Sequence, residues 1–112
     1  MTSPPKEAVT VVVTTAPDAD VAESLGRRLV EERLAACANV IPGVTSVFRW
    51  EGEVQTEGEV LVLLKSTESV FAALRDRLVT LHPYDVPEVL RLPVAAGSDA
   101  YLDWVREEVR RP

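Results

Sequence analysis

Two side chains in this chain of 112 residues are the natural donors for a soft metal ion: Cys37, its one thiol, and His82, its one imidazole. Thiolate and imidazole favour copper and zinc over hard cations, which prefer oxygen. Cys37 stands between Ala36 and Ala38, and a free cysteine in such company also serves as a small buried hydrophobe. His82 precedes Pro83, where a helix has to stop, and its ring could equally bond the last carbonyls of that helix. Imidazole is at the same time the commonest protein metal ligand. The two residues lie far apart in sequence and lack zinc-finger spacing, so a shared site needs the fold, or several copies, to unite them. As nucleophile and base they lack a third, orienting group at a recognisable spacing. Neither GxxxxGK[ST] nor GxGxxG occurs. The expectation is a binding protein, not an enzyme, with no organic cofactor.

The elements that must position these residues are organised around Leu34 to Lys65. Two apolar, β-branched runs flank Glu51-Gly52, which predicts a long hairpin. In the first arm Val44, Ser46, Phe48 and Trp50 point one way, and Thr45, Val47 and Arg49 the other. Pro42-Gly43 predicts a bulge in that arm, with Gly58 as its match in the second. Val60 to Leu64 are apolar without a break, so both faces of the second arm need cover. Helices of the same chain can cover one face. Another copy of the protein is the simplest cover for the other.

The rest of the chain fits around that hairpin. Ala8 to Thr15 reads as a buried strand. A helix follows from Asp18 or Asp20 to about Arg33, with Asp20 and Glu23 at capping-box spacing. Its inner face is Val21, Leu25 and Leu29, beside the small Ala22 and Gly26, and Gly26 implies close packing on the sheet. Ser66-Thr67 offers a cap for a second helix whose stripe is Phe71, Leu74, Leu78 and Leu81. Val86 to Pro93, with two prolines, reads as an edge strand. Ser98 or Asp99 caps a last helix with Leu102, Val105 and Val109 inward. The order β-α-β-β-α-β-α predicts an α+β fold: a ferredoxin-like antiparallel sheet with an extra C-terminal helix.

Composition sets outer limits. The length suits one domain, residues 8–112, behind a polar, proline-rich tail at residues 1–7 expected to be disordered. A net charge of −6 argues against nucleic acid and anionic membrane as partners. No run is apolar and long enough to span a bilayer, and the tail lacks the core of a secretory signal. One cysteine allows no internal disulfide and suits a reducing cytoplasm.

Specific strings then stand out in order: TAPD (15–18), LAACANVIPGVTSVFRWEG (34–52), EVLVLLK (59–65), HPYDVPEV (82–89), LPV (92–94) and YLDWV (101–105). From about Val9 to Val105 the chain closely resembles the CutA family of divalent-cation tolerance proteins. The resemblance implies a tight homotrimer in which the long hairpins pair edge to edge between subunits. It implies involvement in the response to metal ions, with Cu(II) or another divalent cation bound and Cys37 and His82 as ligands. Thr14 stands where some members carry a second cysteine, which weakens any site needing that sulfur. Glu59, Lys65, Tyr84 and Glu88 fall in the matching blocks. They imply interface pairs or, as the alternative, a polar intersubunit cleft walled by Trp50, with Lys65 attracting a small anion. In that alternative the trimer is a signalling or interaction module, and metal binding is incidental.

Overall fold

The computed structural model describes residues 6–111. The sheet is built from β1 (Val9–Ala16), β2 (Cys37–Trp50), β3 (Glu53–Thr67) and β4 (Leu90–Pro93). Their order is β2-β3-β1-β4, and every neighbouring pair is antiparallel. Helices α1 (Ala19–Glu31) and α2 (Phe71–Leu81) fill the two connections, and α3 (Asp99–Glu108) follows β4. This is the expected ferredoxin-like arrangement with one added helix.

The pleat sorts the sheet into two faces. Val12, Ala16, Val62 and Leu64 turn to one side and are buried against Leu25 and Leu29 of α1 and Leu74 and Leu78 of α2. Residues one position away, Val11, Val13, Leu61 and Leu63, turn to the other side and are only half-buried. Leu90 and Leu92 of β4 are 54% and 52% exposed, so this second face is open. Helix α3 covers one end of it, packing on β1 and β3.

Hairpin geometry follows the sequence closely. Glu51 and Gly52 both take positive φ, 51° and 81°, the pattern of a type I′ turn. Between Ile41 and Val44 the register shifts by one residue, and Gly43 has φ 86°, so the bulge lies at Pro42-Gly43. Gly58 makes no second bulge; it pairs directly with Thr45. Beyond the bulge the ribbon projects from the body, and the molecule measures 58 × 25 × 22 Å.

Several local expectations need correction. Asp18, not Asp20, caps α1: its carboxylate accepts the Val21 N–H at 2.8 Å, leaving Asp20 in the first turn. The helix ends at Glu31 because Arg33 enters the left-handed region at φ 59°. Arg33 then donates to the Glu107 and Glu108 carbonyls at the end of α3. Glu32, just past the helix end, bridges α1 and α2. Its hydrogen bonds to Arg77 of α2, then to Arg28, hold its carboxyl below the usual range. Ser66 does not cap α2; its buried hydroxyl donates to the Leu34 carbonyl at 2.7 Å, and a 3-10 turn, Glu68–Val70, leads into the helix. Ser98 stands at the N-cap of α3 without a side-chain cap bond. The edge strand is shorter than expected. Pro87 has no N–H to give, and pairing with β1 starts only at Leu90. Of the expected tail, residues 1–5 lie outside the described residues. Lys6 pairs with Asp103 at 2.9 Å, and Glu7 accepts the Ser69 N–H at 2.7 Å. Among the described residues no helix is long and apolar enough to cross a membrane.

At Gly26 helix α1 lies close on the sheet: a Cβ there would lie 2.8 Å from the Ala38 Cβ. Overpacking of this kind costs about 1–3 kcal/mol, more than the ~0.5–1 kcal/mol that Ala gains over Gly in a helix. Gly26→Ala is therefore expected to lower stability by about 1 kcal/mol, and adding Ala38→Gly should restore most of it. Urea-unfolding midpoints of the two variants check this.

Candidate functional site

The fold places Cys37 at the start of β2, opposite Lys65. Its Sγ lies 3.5 Å from the Tyr101 hydroxyl, and Tyr101 rests against Trp104 with ring centroids 5.7 Å apart. The contact with the Cys37 sulfur, with burial second, raises the Tyr101 phenol above its ordinary value. Cys37 is half-buried and also lines a groove between β2 and α1. Thr14 is fully buried and shares its face with Val62, toward the helices. Cys37 shares the opposite face with Lys65, so a sulfur at position 14 would point away from it.

His82 is buried just past the end of α2. Its Nε2 lies 2.7 Å from the Thr15 carbonyl oxygen, which can only accept. Its Nδ1 lies 3.1 Å from the Tyr84 N–H, which can only donate. The ring is thereby fixed as the neutral tautomer with the proton on Nε2, and neither nitrogen keeps a lone pair for a metal. His82 is a main-chain clamp holding the segment after α2 against the end of β1. It does not join Cys37. Thr15 pairs with Leu61 and Cys37 with Lys65, four residues apart on β3, or roughly 13 Å along the strand. Among the described residues no three of His, Cys, Asp and Glu gather closely enough to hold an ion.

The clamp delivers Tyr84 to the hairpin. Its ring sits 4.7 Å from the His82 ring, and its hydroxyl donates to Glu59 Oε2 at 2.9 Å. Burial, then the Glu59 hydrogen bond, pushes the Tyr84 phenol up to about 12, with Glu57 and Asp18 adding negative charge nearby. Glu59 and Tyr84 are thus the two cleft residues the fold unites. Lys65 lies six positions along the same face of β3, roughly 20 Å away, and donates to Asn39 Oδ1. Trp50 stands at the hairpin tip, 45% exposed, and Glu88 is exposed before β4. Within one chain these five make no single pocket. The Cys37–Tyr101 contact and the Glu32–Arg77 pair had no sequence signal, because each joins residues that only the tertiary fold makes neighbours.

A phenol whose folded value exceeds its ordinary 10.0 favours the fold fully below that pH. As pH rises from about 10 toward about 12, the unfolded chain ionises first and the contribution is lost. The stability gap between the wild-type chain and Tyr84→Phe should therefore narrow across that window. Urea midpoints measured at stepwise alkaline pH test this; a gap that stays constant or widens contradicts it.

With this geometry in hand, comparison with known proteins is decisive about kinship. The family described as "CutA1 divalent ion tolerance protein" matches residues 10–108. The "Divalent-cation tolerance protein CutA" of Thermus thermophilus is 52% identical over 97 residues, covering 87% of this chain and 94% of that protein. "Protein CutA" of Homo sapiens is 43% identical over 99 residues, covering 88% of this chain but only 55% of the human protein. Among solved structures, CutA1 of Oryza sativa superposes with a TM-score of 0.92 at 40% identity, covering 95% of this chain and 97% of that one. The Thermus thermophilus structure gives 0.89 at 49% identity, covering 91% and 99%. The chain belongs to the CutA family of divalent-cation tolerance proteins.

Proposed function

We propose that this chain serves divalent-cation tolerance as a cytoplasmic homotrimer that binds a divalent cation, copper foremost, through the Cys37 thiolate. The carrying observation is the open face of the sheet. Leu61 and Leu63 of β3 and Val11 and Val13 of β1 are half-buried there, beside the exposed Leu90 and Leu92. An apolar face of this extent is a liability in a monomer and is removed by closed cyclic association. The number three comes from the family resemblance.

The donor set supports the metal reading in part. Cys37 offers a soft sulfur in a half-buried position beside the Tyr101 hydroxyl. His82 does not fit, because both its ring nitrogens serve the main chain. Among the described residues one chain thus supplies a single soft donor, and completing a site calls on other copies. A second reading is favoured by Lys65, which faces an amide and no carboxylate among the described residues. In it the trimer is a signalling or interaction module with a small anion between its subunits.

Titration with Cu(II), and with Cd(II) as a redox-inert soft cation, tests the first reading. Cys37→Ser is expected to lose most of the uptake. His82→Gln is expected to keep the wild-type stoichiometry while losing about 1–3 kcal/mol of stability from its broken clamp. Equal uptake by Cys37→Ser and wild type removes Cys37 as a ligand. Phosphate uptake by wild type that vanishes in Lys65→Ala, with trimer mass unchanged, favours the second reading.

A further inference from the structure

We propose that the outer part of the hairpin, Val44–Gly58, is ordered by assembly: in a free subunit it frays, and it locks only when neighbouring subunits cover it. The inference rests on the trimer reading and adds to it a conformational step built into this fold. Its basis is that the arm has no support from its own chain. From Val44↔Glu59 to Trp50↔Glu53, β2 and β3 pair only with each other. Gly26 of α1 packs on Ala38, which lies before the bulge. The arm's one side-chain hydrogen bond, from Arg49 Nη1 to the Gly52 carbonyl, stays within the turn. Val47 and Val54 are 66% and 63% exposed. A two-stranded ribbon without a third strand or a covering helix is marginal in water.

The bulge separates this ribbon from the stable sheet. The ladder breaks between Ile41 and Val44, where Pro42 has no N–H and Gly43 takes φ 86°. Opening beyond that point breaks none of the pairing between β1 and β3 or between Cys37–Ile41 and β3. At the root, the Tyr84–Glu59 hydrogen bond pins the last residue that the body still holds. Ordering the arm therefore draws on the free energy of association, which makes its order depend on subunit concentration.

Hydrogen exchange read by mass spectrometry, with sedimentation in parallel, tests this on the full chain. The wild type is measured over a dilution series. Leu61→Arg/Leu63→Arg and, independently, Leu90→Arg/Leu92→Arg supply chains with the open face blocked. In monomers the amides of residues 44–58 should exchange at least about tenfold faster than in the assembled protein, while β1 stays protected and certifies the fold. An arm equally protected in monomers with a protected β1 overturns the proposal and leaves the trimer reading standing. Wild type that is monomeric at every concentration overturns both, and a wild-type arm that exchanges as fast in the assembled protein as in the dilute one overturns the proposal alone.

Discussion

The structure depends on a single imbalance of apolar surface. Strand β3 carries aliphatic side chains on both faces, and the chain owns helices enough for one. Val62 and Leu64 lie under α1 and α2 and are fully buried, while Leu61 and Leu63, one residue away, are not. Period two along the strand allows no compromise, since moving one set inward moves the other out. Helix α3 over one end of the open face and the exposed leucines of β4 both lie on the uncovered side of this division.

Much of this was legible in the residues alone. Helix α1 declared itself through Leu25 and Leu29, with Ala22 and Gly26 alongside, all of them buried, while Val21 on the same expected face is only half-buried. The hairpin turn at Glu51-Gly52 and the bulge at Pro42-Gly43 were marked by Gly52, Pro42 and Gly43, whereas the positive φ of Glu51 carried no signal in its residue type. Where the reading slipped, a tertiary contact competed with a local one. Ser66 had the chemistry of a cap, but its hydroxyl found the Leu34 carbonyl instead. Val86 to Val89 had the alternation of a strand, but the ladder with β1 runs only from Leu90 to Pro93. Gly58 resembled a bulge partner, yet the extra residue sits wholly on β2.

The candidate site was legible as a set of residues and not as a geometry. Sequence pointed to Cys37 and His82 together because they are the chain's softest donors. The fold separates them and gives them different work. His82 is held by two main-chain groups of opposite character, a carbonyl and an N–H, which one neutral imidazole can satisfy at once. That arrangement explains a histidine between a helix end and Pro83 without any metal. Tyr84 and Glu59 show the converse: 25 residues apart in the chain, they meet because the clamp turns the segment after α2 toward the root of the hairpin.

The two ends of the described chain are tied at one pole. Lys6 reaches Asp103, Arg106 donates to the Glu7 carbonyl, and Arg110 donates its N–H to the Arg33 carbonyl. The hairpin tip at Glu51-Gly52 lies at the other end of β3. This chain spans 55% of both the human and the Arabidopsis thaliana relatives. Lys6 and Arg110 lie at the pole opposite the ribbon, and the salt bridge and hydrogen bonds that join them to the body leave the hairpin tip untouched.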